Sequence, residues 1–356
     1  MGQDVFRKLQ ERLDMYAVGF PATESGIELE ILRRLFSEDD AILFMELSPM
    51  LELPGSVAQR TGKPLSEVSA HLEDMAGRGL LFRLKKGETV KYGAIPFLPG
   101  IMEYQVKRLD RELVELLERY STAGFSRATA KNAEYFLRTI PVQEAVEAGQ
   151  RVAPFEDARE ILRTAKTIVV TDCICRKEKS LMGKGCGKPL EACFLLGSIG
   201  QYYLDYGMGR QVTAEEAIKI LEQCQDAGLV TQPATAQNPM GMCNCCGDCC
   251  GLLKSIKEMP HPAEYVFTNY FASVEQEKCT GCEACMERCQ MDALKIDDDH
   301  VVKVLSDRCI GCGLCIRTCP TGALVLARKA EGQYRIPPAT GAEQLMLMAQ
   351  KRGIQF

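Results

Sequence analysis

The chain has 356 residues, of which 46% are hydrophobic and 26% charged, and its formal net charge is -5. This composition excludes a disordered chain, and no run approaches the eighteen apolar residues of a membrane helix. The net negative charge gives the whole molecule no bias toward nucleic acid. The opening MGQDVFRKLQERLDMY is charged throughout, so a secretory leader is not expected and a cytoplasmic location is. Eighteen cysteines, three histidines and no tryptophan set the chain apart.

The first expected unit is residues 1–98. IELEILRRLF reads as an amphipathic helix, and Ser37 opens a second, SEDDAILFMEL, with Asp40 completing a capping box. SVAQRTG and SEVSAHLEDMAGRG give a helix–turn–helix pair that closes on Gly77 and Gly79. LLFRLKKGETVKYGAI alternates with period two around a KKGE turn, as a hairpin wing does. This order resembles a winged helix. Its second helix carries Glu67, Glu73 and Asp74 against Arg78 alone, which opposes entry into a groove lined with phosphates. Only the wing, with Arg83, Lys85, Lys86 and Lys91, is basic. Nucleic acid is therefore not the expected partner, and a protein-docking or structural role is.

A helical connector is expected over 99–165, with one long helix at 101–121 striped by Met102, Val106, Leu109, Leu113, Leu116 and Leu117. Residues 166–272 read as a Cys-rich α/β domain. FEDAREILRTAK is a helix leading into it, TIVVTD a strand, and 190–206 a helix. TAEEAIKILEQCQDAGL is a helix capped by Thr213 and Glu216, GLVTQ a short strand, and QPATAQNPMGM a loop running into CNCCGDCC. A tail helix follows over 331–356, capped by Thr340 and Glu343 and stopped at Gly353. Its Leu345, Met346, Met348 and Phe356 pack on the body or on a partner. The overall class is α+β and multidomain.

No cysteine precedes residue 173, and the rest fall into the clusters 173–193, 243–250 and 279–319, with Cys224 apart. Such clustering suits thiolates converging on a metal rather than a disulfide framework, and the scarcity of histidine favours all-thiolate sites. The sharpest signal is an internal repeat, CTGCEACMERCQMDALKID at 279–297 and CIGCGLCIRTCPTGALVLA at 309–327. Each half is C-x2-C-x2-C-x3-C, so three thiolates cap three corners of a cube and the fourth reaches across to the other. Gly281 and Gly311 let each loop fold tightly.

Residues 273–330 resemble the bacterial two-[4Fe-4S] ferredoxins. That resemblance implies one cluster on Cys279, Cys282, Cys285 and Cys319 and another on Cys309, Cys312, Cys315 and Cys289. Pro320 follows the last cysteine as the pattern asks, whereas Gln290 stands where the first half often has proline. That departure bears on helix termination or a sulfur contact and not on ligation. Nine acids and eight bases between 275 and 329 add little net charge to the clusters.

Of the other ten cysteines, Cys224 shares a helix face with Ile220, Leu221 and Ala217 and reads as a core thiol. The remaining nine are Cys173, Cys175, Cys186, Cys193, Cys243, Cys245, Cys246, Cys249 and Cys250. They are candidates for a third site whose ligand subset is open. Cys243, Cys246 and Cys249 repeat the C-x2-C-x2-C spacing, so a third [4Fe-4S] cluster is the expected occupant. Two separate sites, one larger or non-cubane cluster, zinc, and a metal-free redox pair are the alternatives. Arg176, Lys177, Lys179, Lys184 and Lys188 make the first segment basic, either as a solvated face, as compensation for anionic thiolates, or as a dock for an acidic partner or anionic substrate. GKGCGKP is one residue short of a phosphate loop, and Pro189 stands where Ser or Thr would be.

End to end, the chain resembles 4Fe-4S ferredoxin-type proteins of anaerobes. Their features here are the winged-helix-like start, CICR…GKGCGKPLEAC, CNCC…CCG and the terminal dicluster module. The resemblance implies iron–sulfur chemistry and carries no reaction with it. The expected role is an electron-transfer protein or the electron-input subunit of an oxidoreductase, working with a redox partner protein or within a complex or homo-oligomer. A reductase with its own open metal site in 173–250 is the alternative, and a redox-sensing winged-helix regulator the third. His71, His261 and His300 serve no recognisable catalytic set, and His261, in MPHP, reads as a turn.

Overall fold

The computed structural model describes residues 4–145 and 153–354; Phe356, expected in the tail helix, lies outside them. The described chain is α+β, and every paired strand within its sheets is antiparallel.

Five helices open the chain: α1 (Val5–Asp14), α2 (Ile27–Leu35), α3 (Glu38–Glu46), α4 (Pro54–Thr61) and α5 (Leu65–Gly77). A hairpin follows, β1 (Phe82–Lys86) and β2 (Thr89–Gly93), paired in register around Gly87 and Glu88. Ser37 and Asp40 form the expected reciprocal capping box on α3. Asp40 does more than cap: it is 2% exposed and receives His71 at 2.8 Å and both ends of the Arg78 guanidinium at 2.9 and 2.7 Å. The two basic groups of the α5 segment are thus turned inward.

The expected long helix at 101–121 is two, α6 (Met102–Tyr104) and α7 (Arg111–Tyr120). Asp110 is the reason: its carboxylate accepts from the Leu113 amide and starts a new helix. The side chain of Gln105 meanwhile satisfies the carbonyls of Arg78 and Ile101. Of the six stripe residues only Val106 and Leu113 are fully buried. The short α8 (Ser126–Lys131) follows, and α9 (Ala158–Thr164) is capped by Asp157.

The central sheet has the order β5-β3-β4-β7-β6, with β3 Ile168–Asp172, β4 Glu191–Leu196, β5 Arg210–Gln211, β6 Val230–Pro233 and β7 Gly241–Cys245. Two expectations fail here. Residues 190–206 are not one helix: the first half is β4, and α11 (Gly197–Asp205) begins at Gly197, whose φ of +58° breaks the strand. EACFLL alternates buried and part-exposed side chains between β3 and β7, so ladder pairing overrides its helical propensity. Likewise the loop expected over QPATAQNPMGM is shorter, since Gln232 and Pro233 end β6 and Gly241 and Met242 open β7, which continues into the first cysteines of CNCC. The remaining helices of this region are α10 (Ile174–Leu181), α12 (Ala214–Asp226) and α13 (Gly251–Lys257). Thr213 caps α12 as expected, but Glu216 pairs with Arg210 at 2.5 Å.

Beyond the sheet, β8 (Tyr270–Val274) pairs with β11 (Leu324–Arg328), β9 (Leu294–Ile296) pairs with β10 (Val302–Val304), and α14 (Leu314–Thr318) lies between. The last helix, α15 (Gly341–Lys351), is capped by Thr340 and seats Met348 and Ala349 against the body, while Leu345 is half-buried and Met346 is exposed.

Two contacts position the cysteines. The N-terminal helices and α11 share one apolar cluster, in which Tyr202 donates to the carbonyls of Ala76 and Leu81. Residues 138–142 form a strap between the central sheet and the C-terminal region: Arg138 and Ile140 donate to Pro233 and Thr231, Thr139 to Phe267, and Val142 to Cys312. Arg138 is 2% exposed, and its guanidinium is held by the carbonyls of Phe155 and Ala236.

Candidate metal centres

The eight cysteines of the repeat line two cavities. Cys279, Cys282, Cys285 and Cys319 face one of about 340 Å³, counted with its open mouth. Cys289, Cys309, Cys312 and Cys315 face another of about 380 Å³. The fourth cysteine of each half therefore crosses to the other half, Cys289 from the turn at 284–288 and Cys319 from the end of α14. Gly281 and Gly311 both have a φ of +67°. A Cβ on Gly281 would lie 2.6 Å from the His300 carbonyl oxygen, and one on Gly311 2.3 Å from that of Tyr270. Only glycine lets these loops press against the neighbouring backbone.

The cavities fit a thiolate-bound cluster. Backbone amides of Ala272, Ala293 and Val302 point at the sulfurs of Cys309, Cys289 and Cys279 at 3.3, 3.1 and 3.5 Å. Donors to sulfur stabilise thiolate and tune potential. Burial, reinforced by the neighbouring cysteines, pushes the thiols of Cys285, Cys289 and Cys315 up, and that of Cys312 to about 12. Without a cation these groups would stay protonated; a metal is what turns them into ligands.

The two cavities differ in setting. Cys282 is exposed and Cys279 half-buried, so the first cavity looks outward. The second is covered: Gly313 presses on Val142 and Ala145, and Cys289, Cys309 and Cys312 share an apolar cluster with Cys243, Cys245 and Cys250. The half nearest the second cysteine field is thus the inner one. Gln290 makes the join, its side-chain oxygen accepting from the Gly247 amide at 2.7 Å, within the loop that carries Cys246 and Cys249. The unusual residue of the repeat is a docking residue.

The second field does not gather as its spacing suggests. Cys243, Cys246 and Cys249 do not converge. Six thiols instead form a ring of electrostatic neighbours, in the order Cys173, Cys175, Cys250, Cys245, Cys243, Cys193 and back to Cys173. Four elements supply them. Cys193 on β4 and Cys243 on β7 are cross-strand partners, and Cys245 is two residues along the same face. Cys173 and Cys250 are the N-caps of α10 and α13. Neither sulfur takes a capping hydrogen bond from its helix. Contact with neighbouring thiols and the helix N-terminus hold these two sulfurs well below the usual thiol range.

The other three, Cys186, Cys246 and Cys249, lie with their sulfurs within 4.8 Å of one another, the pair Cys186–Cys246 at 3.9 Å. Cys224, the expected core thiol, is fully buried and packs in the same apolar cluster.

The basic residues around the field are largely engaged. Lys179 meets Glu118, Lys188 meets Asp248 at 3.0 Å, and Lys177 donates to the Val106 carbonyl. Arg176, singled out in sequence only as one of five, is the exception. It is 2% exposed and donates to the Asn244 carbonyl at 3.1 Å, with Cys246 sulfur 3.9 Å away. Its Nε and Nη2 have no hydrogen-bond partner, and among the described residues no carboxylate pairs with it. Cys173, Cys193 and Cys246 surround it and hold its pKa above the ordinary guanidinium value against burial. A buried cation with only sulfur beside it favours the thiolate form, and Cys173 is the sulfur of the three that is held low.

Glu103 and Glu178, both missed in sequence, stand beside the ring. Burial pushes Glu103 up to about 7, reinforced by the charges of Cys243 and Cys250. Burial pushes Glu178 to about 8, partly offset by Lys179.

Residues 272–326 match the 4Fe-4S dicluster domain family, so this part of the chain is a ferredoxin-type segment. No curated protein and no solved structure gives a match to the chain. No helix among the described residues is long and apolar enough to cross a membrane. The ferredoxin-type segment and the abundance of cysteine give the protein an iron–sulfur electron-transfer role.

Proposed function

We propose that the protein relays single electrons between a soluble partner and a metal centre in its own second cysteine field. One [4Fe-4S] cluster sits on Cys279, Cys282, Cys285 and Cys319, and the other on Cys289, Cys309, Cys312 and Cys315. When bound, such clusters supply one-electron redox chemistry. The observation that carries the reading is the division of eight thiols between two cavities, one facing outward and one abutting the second field. The outward cluster exchanges electrons with the partner, and the covered one passes them inward past the Gln290–Gly247 contact.

The rest of the chain fits this role. The segments 1–98, 99–165, 166–272, 273–330 and 331–356 serve as a winged-helix-like domain, a connector, the field's own domain, the ferredoxin domain and a tail. The N-terminal unit docks on α11 and serves assembly. Against a regulator that binds nucleic acid stands the engagement of His71 and Arg78 by Asp40 and of Arg83 by Glu73 and Asp205. We place the protein in the cytoplasm of an anaerobe, as the electron-input part of an oxidoreductase.

The test is iron, sulfide and zinc analysis of protein made without oxygen, with electron paramagnetic resonance of the reduced form. About eight irons belong to the ferredoxin segment. Cys282→Ser perturbs only the outward cluster's signal and Cys312→Ser only the inner one's. Metal-poor, colourless protein after reconstitution would refute the proposal.

A further inference from the structure

The second field is spatially divided, and its backbone explains how. On β7, Cys243 and Cys245 face the ring, while Asn244 between them turns the other way and holds the Ala192 carbonyl at 3.0 Å. Cys246 is one residue further, so it falls on the Asn244 side, beside Arg176 and Cys186. At the other end of the loop, Cys250 caps α13 into the ring and Cys249 points back to Cys186 and Cys246. The adjacent pairs Cys245–Cys246 and Cys249–Cys250 are each split between the two groups.

The geometry points to a separate site on Cys186, Cys246 and Cys249 for a single thiophilic divalent metal ion of the zinc or ferrous class, with its fourth coordination position open. This rests on reading the second field as a metal centre. Four thiolates on one tetrahedral ion lie roughly 3.8 Å apart, given a metal–sulfur bond of about 2.3 Å. The Cys186–Cys246 pair at 3.9 Å matches that edge, and all three sulfurs lie within 4.8 Å of one another. The same structure leaves cavities of about 340 and 380 Å³ between the cysteines of each ferredoxin half. The triad is a tight set of three sulfurs, whereas the sulfurs of each ferredoxin half gather around an open-mouthed cavity.

Arg176 is the independent sign of charge at this place. Its guanidinium is buried, carries unpartnered N–H groups and reaches Cys246 without a carboxylate to neutralise it. Among the described residues no fourth Cys, His, Asp or Glu joins the set. Cys186 is half-buried while Cys246 and Cys249 are buried, so the uncapped side is the Cys186 side, next to the exposed glycines 183, 185 and 187. Three protein ligands with an open fourth place is the arrangement of a zinc ion that binds a substrate or water, whereas structural zinc takes four.

The full chain, reconstituted with iron and sulfide without oxygen, is titrated with Co²⁺ and followed by visible absorption and metal analysis. The wild type should take up about one cobalt with thiolate charge-transfer and tetrahedral bands, and added cyanide should shift those bands. Cys186→Ser/Cys249→Ser should lose the cobalt and keep the wild-type iron content. Cys175→Ser/Cys245→Ser, in the ring, should keep the cobalt. If the triad variant instead loses several irons, if the ring variant also loses the cobalt, or if cyanide leaves the bands unmoved, the separate open site is overturned. If iron never enters the ferredoxin segment while cobalt binds as expected, the electron-relay reading falls and this site stands.

Discussion

Removal of the Arg176 charge should lower the reduction potential of the second field and leave the ferredoxin segment alone. Arg176→Gln keeps a donor for the Asn244 carbonyl and deletes the cation. The Cys246 sulfur lies 3.9 Å from Nη1. At an effective dielectric of about 20, one unit charge at that range interacts by roughly 4 kcal/mol. If the added electron sat wholly on that sulfur, the potential would fall by roughly 180 mV, at about 59 mV per 1.4 kcal/mol for one electron. Arg176 also faces Cys173 and Cys193, and an electron added to a thiolate-bound centre spreads over its ligands. A fall on the order of 50–100 mV is therefore expected. Arg176→Lys should restore much of it, because a compact ammonium keeps the charge without the planar fork. The measurement is a potentiometric titration of the full chain without oxygen, followed by electron paramagnetic resonance, with the two ferredoxin signals as internal references. If the glutamine variant holds its metal and titrates within about 20 mV of the wild type, the sulfurs around Arg176 do not carry the charge attributed to them.

Four further outcomes follow from particular contacts. Gly311→Ala should cost the inner cluster, because its Cβ would stand 2.3 Å from a backbone oxygen; metal analysis should find roughly half the ferredoxin iron. Gln290→Pro removes the acceptor for the Gly247 amide, and electron arrival at the second field after rapid mixing with dithionite should slow while both ferredoxin signals persist. Asp40→Ala strips the half-buried His71 and Arg78 of their shared partner, which should cost about 1–3 kcal/mol and lower the melting temperature of the N-terminal region. Burial holds Asp40 up, but Arg78, Ser37 and His71 outweigh it and hold its carboxyl far below the ordinary value. Its contribution is therefore full above pH ~4 and lost as the pH falls further, so the wild-type advantage over the variant should shrink in acid. Glu103 behaves in the opposite sense: in the metal-free chain its folded value of about 7 lies above the unfolded one, so stability is greatest below pH ~4.5 and declines as the pH rises to 7. Glu103→Gln, which keeps the acceptor for the Gly100 amide, should flatten that decline in thermal unfolding of metal-free protein.

The ferredoxin segment was legible because its chemistry is local. Three ligands of each set lie within seven residues, the repeat supplies the fourth, and the glycines that permit the loops sit between the ligands. The second field was legible as a metal region and not as a geometry. Its thiols come from two strands, two helix caps and two loops, and which of them meet depends on the strand pairing of β4 with β7. Spacing placed Cys243 with Cys246 and Cys249; the alternation of side chains along β7 separates them. EACFLL read as helix because Leu, Ala, Glu and Cys tolerate one, and only its two neighbours in the sheet make it a strand. Asp110 was an available cap signal within the apolar stripe at 101–121. Arg176 could not be told from Lys177 or Lys179 in sequence, since burial rather than residue type gives it its role.

An electron path needs direction as well as proximity, and here direction comes from unequal burial. Cys282 meets solvent, whereas the inner set is closed off by the strap at 138–142, by Ala145 and by the apolar cluster it shares with the ring. On the proposed reading a partner meets the first cavity, where Cys282 is exposed, rather than the second, whose cysteines are half-buried or buried. Arg288 and Arg317 fix this order by binding the Asp226 carbonyl and carboxylate at the end of α12, both at 2.6 Å, so the ferredoxin segment cannot turn its outer face inward without breaking them. Gln290 then sits between the inner ligand Cys289 and the loop of Cys246 and Cys249. Ring and triad both border Arg176, one cation shared by two thiolate groups. Charge added to either would be felt by that same guanidinium, so on the proposed reading Arg176 is the link between the two groups. On the reading proposed above, an open ion at the triad would suit a reductase and a fully ligated one a simple carrier, and the cobalt titration separates them.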